Sequence, residues 1–125
     1  MTENDISFKI RGAISKVYKT LGPGLLESVY ESALFYELTK IDLKVERQVA
    51  VTIPYEEIVL DVAFRIDLLV EDKVIIELKS VEDLAPIHYK QIITYLKLTD
   101  KKLGLLVNFN TSDIFDDIKR VVNKL

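Results

Sequence analysis

Two β-rich runs separated by a short polar segment constrain the fold of this chain more than any other feature. They cover residues 58–70 and 74–80, and Glu71-Asp72-Lys73 lies between them. Such a pattern predicts an antiparallel β-hairpin. Side chains alternate across a strand, so the even-numbered positions of both runs should share one face. All of them are apolar, which predicts a core face: Val62, Phe64, Ile66, Leu68, Val70, Val74, Ile76 and Leu78.

The opposite face of the predicted hairpin carries charge, with Arg65 and Asp67 on the first strand and Glu77 and Lys79 on the second. A three-residue loop would place Asp67 opposite Glu77 and Arg65 opposite Lys79, with opposed Cβ atoms about 4.5–5.5 Å apart. Two carboxylates at that distance repel each other unless a proton or a cation lies between them.

Two interpretations of these four charges remain open from spacing alone. In the first, Asp67 and Glu77 hold a hard divalent cation such as Mg²⁺, which prefers oxygen ligands. Lys79 would then position or help to deprotonate a metal-bound water, or stabilise an oxyanion. In the second, the four residues form a cross-strand network of ion pairs on a solvated sheet face.

The hydrophobic periodicity of the rest of the chain predicts an α/β domain that occupies residues 1–125. A mixed sheet would form from an antiparallel meander and a strand added after a helical crossover, and helices would flank both of its faces. In the strand over 45–53, Val45, Val49, Val51 and Ile53 should share one side. The other predicted elements are helices over 6–21, from Pro23 to about Lys40, over 86–98 and from Ser112 or Asp113 to Leu125, and a central strand over 103–109.

Composition narrows the chemistry that is available to the chain. There are no cysteines, which excludes disulfides, thiolate catalysis and cysteine-based zinc sites. A single histidine, His88, excludes a histidine-rich metal site within one chain. The net charge of -3 disfavours general coating of nucleic acid. No apolar run resembles a signal peptide or a membrane span, so we expect a cytoplasmic protein.

Two helices carry further candidate residues. Glu27 borders an apolar helical stripe and could reach a metal site below the helix, although spacing alone favours a boundary carboxylate paired with Lys or Arg. On the later helix, His88, Gln91 and Tyr95 lie within about 60° of one another. Gln91 and Tyr95 could orient a metal-bound water, the lysine or a phosphate. The alternative is an ordinary boundary stripe, with His88 exposed.

An ordered set of motifs from about Ile10 to Val122 resembles the GxxExxY proteins of the PD-(D/E)XK nuclease-like superfamily. Each motif is weak alone, but their order is specific. In place of the leading Pro-Asp of the superfamily, this chain has Ile66 before Asp67. The motifs are Gly24-Leu25-Leu26-Glu27-Ser28-Val29-Tyr30, Glu46-Arg47-Gln48, Arg65-Ile66-Asp67-Leu68-Leu69-Val70, Ile76-Glu77-Leu78-Lys79, Leu84-Ala85-Pro86, Gln91-Ile92-Ile93-Thr94-Tyr95-Leu96 and Gly104-Leu105-Leu106-Val107-Asn108-Phe109.

The resemblance implies a restriction-endonuclease-like fold and assigns roles to particular residues. Asp67 and Glu77 match the metal ligands, Lys79 matches the catalytic lysine, and Glu27 matches the acidic residue of the first core helix. Gln91 and Tyr95 match a Gln-x-x-x-Tyr motif that often accompanies the site in relatives acting on nucleic-acid ends.

We therefore expect a nuclease that depends on Mg²⁺ or Mn²⁺ and acts on nucleic acid, with DNA favoured over RNA. The alternative is a nucleic-acid-binding or assembly module that keeps the fold without hydrolysis. A carboxylate-pair glycosidase is disfavoured, because it needs an acid of raised pKa whereas Lys79 favours ionised carboxylates. Small catalytic domains of this kind frequently dimerise, which predicts a homodimer presenting two sites to a duplex.

Overall fold

The structure is a computed structural model that describes the backbone of the whole chain and the side chains of residues 1–60 and 64–125. Three α-helices and five strands make up the fold, with a short 3₁₀-helix before the last strand. The elements are α1 (Glu3–Leu21), α2 (Glu27–Lys40), β1 (Val45–Tyr55), β2 (Ile58–Val70), β3 (Val74–Lys79), α3 (Pro86–Thr99), β4 (Leu103–Asn108), the 3₁₀-helix (Ile114–Asp117) and β5 (Ile118–Val122).

The strands form one mixed sheet in the order β1-β2-β3-β4-β5. Neighbouring strands are antiparallel except β3 and β4, which are parallel. Helix α3 is the crossover between those two parallel strands. The predicted mixed sheet, a meander followed by a strand after a helical crossover, is therefore confirmed.

The predicted final helix is wrong, because the chain after β4 forms a single 3₁₀ turn and then strand β5. β5 pairs antiparallel with β4, from Val107 opposite Ile118 to Leu103 opposite Val122. The apolar spacing fits both structures, but Asp113 supplies no side-chain cap to start a helix. The β-branched residues of this segment suit a strand, and β5 covers the otherwise unpaired edge of β4.

Helices cover both faces of the sheet, as predicted. Helices α1 and α2 pack on one face, together with Leu68, Ile76 and Leu105 of the strands. Helix α3 packs on the other face through Ile92 and Leu96. Among the helices described, none combines the length and the apolar character that crossing a membrane requires.

The prediction that side chains alternate strictly between the two faces along the whole of β1 and β2 is wrong. Phe64 and Ile66 pack toward α3, whereas Leu68 and Val70 pack toward α1 and α2. The side chain of Val62 lies outside the described residues. Along β1, the members of the predicted one-sided set divide between the two faces: Val45 packs toward α1 and α2, and Val49 and Val51 pack toward α3.

The change of face occurs where Gln48 of β1 meets Asp67 of β2. The ladder pairs Arg47 with Leu68 and Val49 with Ile66, but Gln48 and Asp67 form no pair between them. Gln48 adopts a φ of 50°, in the left-handed region that extended strands do not use. The side chains of both strands change face at this point, which on β2 is a candidate site residue, Asp67.

Candidate functional site

The site lies in a fork where β2 separates from β3. Their ladder joins Leu68–Val70 to Val74–Ile76 and extends no further along either strand. Beyond it, the backbone N–H of Leu78 donates to Asp67 Oδ2 at 2.8 Å. The N–H of Asp67 donates to Glu77 Oε1 at 3.3 Å. Each carboxylate therefore crosses the fork and accepts from the opposite backbone in place of a ladder hydrogen bond.

The structure thus brings Asp67 and Glu77 together, as the hairpin register predicts, but it does not place Arg65 opposite Lys79. The ladder has ended before that position. Arg65 is exposed and donates through Nη1 to the carbonyl oxygen of Gln48 at 3.3 Å. It therefore lies against β1, and the predicted four-residue network of ion pairs does not form.

Burial makes the paired carboxyl groups unusual acids. Glu77 is only 6% exposed, and this burial, reinforced by the charge of Asp67, raises its pKa to about 9. Burial also raises the pKa of Asp67, opposed in part by the hydrogen bond from the N–H of Leu78. Desolvation and mutual repulsion therefore both disfavour the doubly ionised pair.

This arrangement fits a divalent cation. A cation between Asp67 and Glu77 would offset their repulsion and favour ionisation of both. Acceptor capacity remains for it, since the second oxygen of Asp67 receives only a 3.4 Å hydrogen bond from Gln48 Nε2. Among residues 1–60 and 64–125, no three Asp, Glu, His or Cys side chains converge as a ready-made metal cluster. The described protein side chains would therefore supply part of the coordination, and water or substrate the rest.

Lys79 lies half-buried at the end of β3, beside Asn108 of β4. Its positive charge lowers the pKa of both Asp67 and Glu77, but burial outweighs it, so the expectation that Lys79 keeps both carboxylates ionised is wrong for the metal-free protein. Three hydrogen bonds fix this end of the strand. The N–H of Phe109 donates to the carbonyl of Lys79 at 2.9 Å, and buried Asn108 exchanges hydrogen bonds with both backbone groups of Val81.

Helix α2 contributes Glu31 to the site more closely than Glu27. Glu31 is 7% exposed, and its carboxylate accepts from Arg47 Nη2 at 3.0 Å and from Gln48 Nε2. Its charge contributes to the raised pKa of Asp67. Gln48 bridges the two acids, because the same Nε2 also contacts Asp67. The sequence signal for Glu31 was its position four residues after Glu27, on the same helical face.

Glu27 is exposed at the start of α2 and lies on the rim of the site. Together with Ser28, Glu31, Gln48 and Asp67 it lines a cleft of about 330 Å³. Glu27 therefore faces the same cleft as Asp67, without belonging to a compact group of acids. Its assignment as a metal ligand stays a prediction.

The glycine and tyrosine of the motif around Glu27 shape the loop that begins α2. Gly24 has a φ of 96°, which a residue with a side chain rarely adopts. The hydroxyl of Tyr30 donates to the carbonyl of Gly22 at 2.6 Å and accepts from the N–H of Leu25 at 3.1 Å. The Tyr30 ring is fully buried and stacks on Phe109 with centroids 4.2 Å apart. These contacts hold the first turn of α2 beside the fork.

Helix α3 reaches the fork from the other face of the sheet. Tyr95 is 5% exposed, and burial followed by the charges of Glu77 and Asp67 raises its pKa. Its hydroxyl therefore interacts electrostatically with the two carboxyl groups. Gln91 lies one turn earlier, half-buried. His88 is also half-buried, and its Nδ1 accepts from the N–H of Ala85 at 3.0 Å, which is a local cap at the start of the helix.

A protein-family model described as the PD-(D/E)XK nuclease superfamily matches residues 4–121. Because the match spans nearly the whole chain, this protein belongs to the PD-(D/E)XK nuclease superfamily. The superfamily resemblance seen in the sequence is confirmed. Nucleases of this superfamily generally use divalent metals and take nucleic acid as substrate. Searches of curated proteins and of solved structures returned no significant match.

Proposed function

We propose that this protein is a divalent-metal-dependent nuclease that hydrolyses phosphodiester bonds at the fork between β2 and β3. The observation that carries the proposal is the pairing of buried Glu77 with half-buried Asp67, with the pKa of Glu77 raised to about 9 and Lys79 two residues further along β3. A mutually repelling carboxyl pair with little access to water costs stability, and binding a cation is a common functional reason for that cost.

In this proposal Asp67 and Glu77 hold Mg²⁺ or Mn²⁺, and Glu27 supplies a further oxygen from the rim of the cleft, directly or through water. The cation would polarise the phosphate and lower the pKa of a bound water. The ammonium group of Lys79 stabilises the negative charge that develops on the phosphate oxygens or orients the attacking water.

The surrounding residues hold this machinery in place. Gln48 fixes the position of Asp67 relative to Glu31, and the bonds of Arg47 to Glu31 hold that acid in the wall of the cleft. From α3, the Tyr95 hydroxyl and the Gln91 amide supply hydrogen bonds for a phosphate or for Lys79. DNA is the favoured substrate in this proposal, and a homodimer would present two such sites to a duplex.

The test is cleavage of single-stranded, double-stranded and structured DNA and RNA by the purified protein, with Mg²⁺, with Mn²⁺ and with a chelator. We expect cleavage only with metal, reduced at least about 100-fold in Glu77→Gln and in Asp67→Asn. These isosteric amides keep the acceptor that each carboxylate offers to the opposite strand. Asp116→Asn is a matched control in the 3₁₀-helix and should cleave at the wild-type rate.

The alternative function, nucleic-acid binding without hydrolysis, predicts a different result. If the wild type and Glu77→Gln are equally inactive on every substrate, while the wild type binds nucleic acid, the protein is a binding module and not a nuclease. Thermal unfolding gives an independent measurement. Mg²⁺ or Mn²⁺ should raise the Tm of the wild type but not that of Asp67→Asn.

A further inference from the structure

A second recess adjoins the carboxyl pair on the α3 side. It has a volume of about 290 Å³. Phe64 of β2, which is 39% exposed, forms one wall, and the ring of Tyr95 meets the Phe64 ring at a tilt of 48° with centroids 5.9 Å apart. The remaining wall comes from α3. Its lining residues there are Ile87, Lys90, Gln91, Thr94 and Tyr95.

Tyr95 links the recess to the candidate active site. Its side chain lines the recess and packs in one buried cluster with Ile66, the residue before Asp67. On β2, Phe64 precedes Asp67 by three residues, roughly 10 Å along a strand. A group held against Phe64 would therefore be a close neighbour of a phosphate at the fork.

The chemistry of the lining matches one kind of occupant. Phe64 offers a flat, partly exposed aromatic face and Ile87 an exposed apolar side chain. Lys90 offers a cation at the rim, and no acidic partner for it occurs among the ion pairs of the described side chains. Aromatic stacking faces beside cationic groups are the means by which proteins hold single-stranded nucleic acid.

We propose that this recess binds an unpaired nucleobase next to the scissile phosphate, with the base stacked on Phe64 and a neighbouring phosphate on Lys90. A paired base in a duplex has its faces covered by its neighbours, so only a single strand or a frayed end can use the recess. The inference rests on the proposed nuclease function and narrows its substrate to nucleic acid with an unpaired base beside the cleaved bond, in a single strand or at the frayed end of a duplex.

The experiment compares three fluorescent DNA probes of one sequence: a single strand, a blunt duplex, and a duplex with a single-stranded overhang. Binding is measured by anisotropy with Ca²⁺, and cleavage with Mg²⁺ or Mn²⁺. The variants are Phe64→Ala, Phe64→Leu and Phe64→Trp, and Phe8→Ala is the control, since Phe8 is an exposed aromatic on α1. Circular dichroism and urea unfolding confirm that each variant folds.

We expect Phe64→Ala to weaken binding of the single strand and of the overhang by about 10-fold or more. Binding of the blunt duplex should change by less than about 2-fold. Phe64→Leu should bind as weakly as Phe64→Ala, because leucine is apolar but has no stacking face. Phe64→Trp should bind like the wild type, because tryptophan keeps an aromatic face. Phe8→Ala should match the wild type on every probe.

Two outcomes would overturn the inference separately from the proposed function. Metal-dependent cleavage of all probes by Phe64→Ala at wild-type rates would leave a nuclease without this base-binding recess. An equal loss on duplex and single strand, or full activity of Phe64→Leu, would show that Phe64 acts through packing alone. If wild-type protein neither binds nor cleaves any probe with either metal, the proposed function itself fails.

Discussion

The two faces of the sheet differ in how completely they are closed. Among the described residues, 20 buried side chains form the core under α1 and α2, whereas eight form the core under α3, so the first face holds most of the core side chains. The smaller core borders the fork and the recess beside Phe64. The comparison teaches that the face under α1 and α2 holds most of the core, whereas the thinner core under α3 leaves room for the recess.

The largest expected effect comes from adjacent leucines of β4 that point to opposite faces. Leu105 is buried under α1 and α2, and Leu106 under α3. Leu105→Ala should lower the free energy of unfolding by about 2–5 kcal/mol, with Leu106→Ala toward the lower end of that range. A single helix can move to fill the cavity more easily than two. Equal losses in urea unfolding would break the comparison.

The next effect is a dependence of stability on pH that arises on the α3 side. Burial raises the pKa of Glu77 from 4.5 to about 9, so the folded protein binds a proton that the unfolded chain releases. This contribution is fully present below about pH 4.5 and is lost as pH rises toward 9.

With a chelator present, the wild type should lose about 4 kcal/mol between about pH 5 and about pH 8, relative to Glu77→Gln. Urea unfolding over that range measures the difference. Parallel curves for the two proteins would contradict the buried, protonated Glu77. Added Mg²⁺ should oppose the loss at high pH, because the cation favours the ionised pair.

A third effect tests how closely α3 approaches the sheet. At Gly104 of β4, an added Cβ would meet the side chain of buried Ile92 at 2.7 Å. Gly104→Ala should therefore cost about 1–2 kcal/mol. Since α3 also carries Gln91 and Tyr95, the substitution should lower cleavage as well. Ala50→Gly, on an exposed position of β1, is a control that should leave cleavage unchanged.

The smallest effect concerns exposed apolar side chains on the two sides. Ile87 lines the recess on α3 and is 59% exposed, and Tyr36 on α2 is 62% exposed. Ile87→Ser and Tyr36→Ser should each change stability by within about 0.5 kcal/mol. Only Ile87→Ser should weaken binding of the single-stranded probe in the anisotropy assay. If Tyr36→Ser also weakened binding of the single-stranded probe, the two faces would not differ in nucleic-acid binding.

Much of this architecture follows from local patterns in the sequence. The three-residue loop at Glu71-Asp72-Lys73 set the register that brings Asp67 beside Glu77, and Pro86 marked the start of α3. Both depend on short-range chemistry. The final strand did not follow in this way, because Ile118 and Val122 suit a helical stripe as well as a strand, and the unpaired edge of β4 decides between them.

The finer arrangement of the site was also beyond local patterns. The change of face at Gln48 and Asp67 interrupts the two-residue alternation of side chains on which the prediction relied. The residue types in this part of the sequence do not predict such a change. In the sequence, Glu31 has the spacing of an ordinary acid at the border of a helical stripe. Its role in the site depends on hydrogen bonds from Arg47 and Gln48, which only the fold brings close to it. Contacts between residues distant in the sequence determine both features.

The hydrogen bonds across the fork give Asp67 and Glu77 a structural role in addition to the proposed metal-binding role. Each carboxylate closes a gap in strand pairing through one oxygen, at the N–H of Leu78 and of Asp67 respectively. An acceptor at each position would therefore stabilise the fold of such a chain, whether or not it cut nucleic acid. Persistence of the two acids in a descendant is thus weak evidence of catalysis, and the neighbouring Lys79, whose side chain closes no such gap, is the more sensitive indicator of lost chemistry.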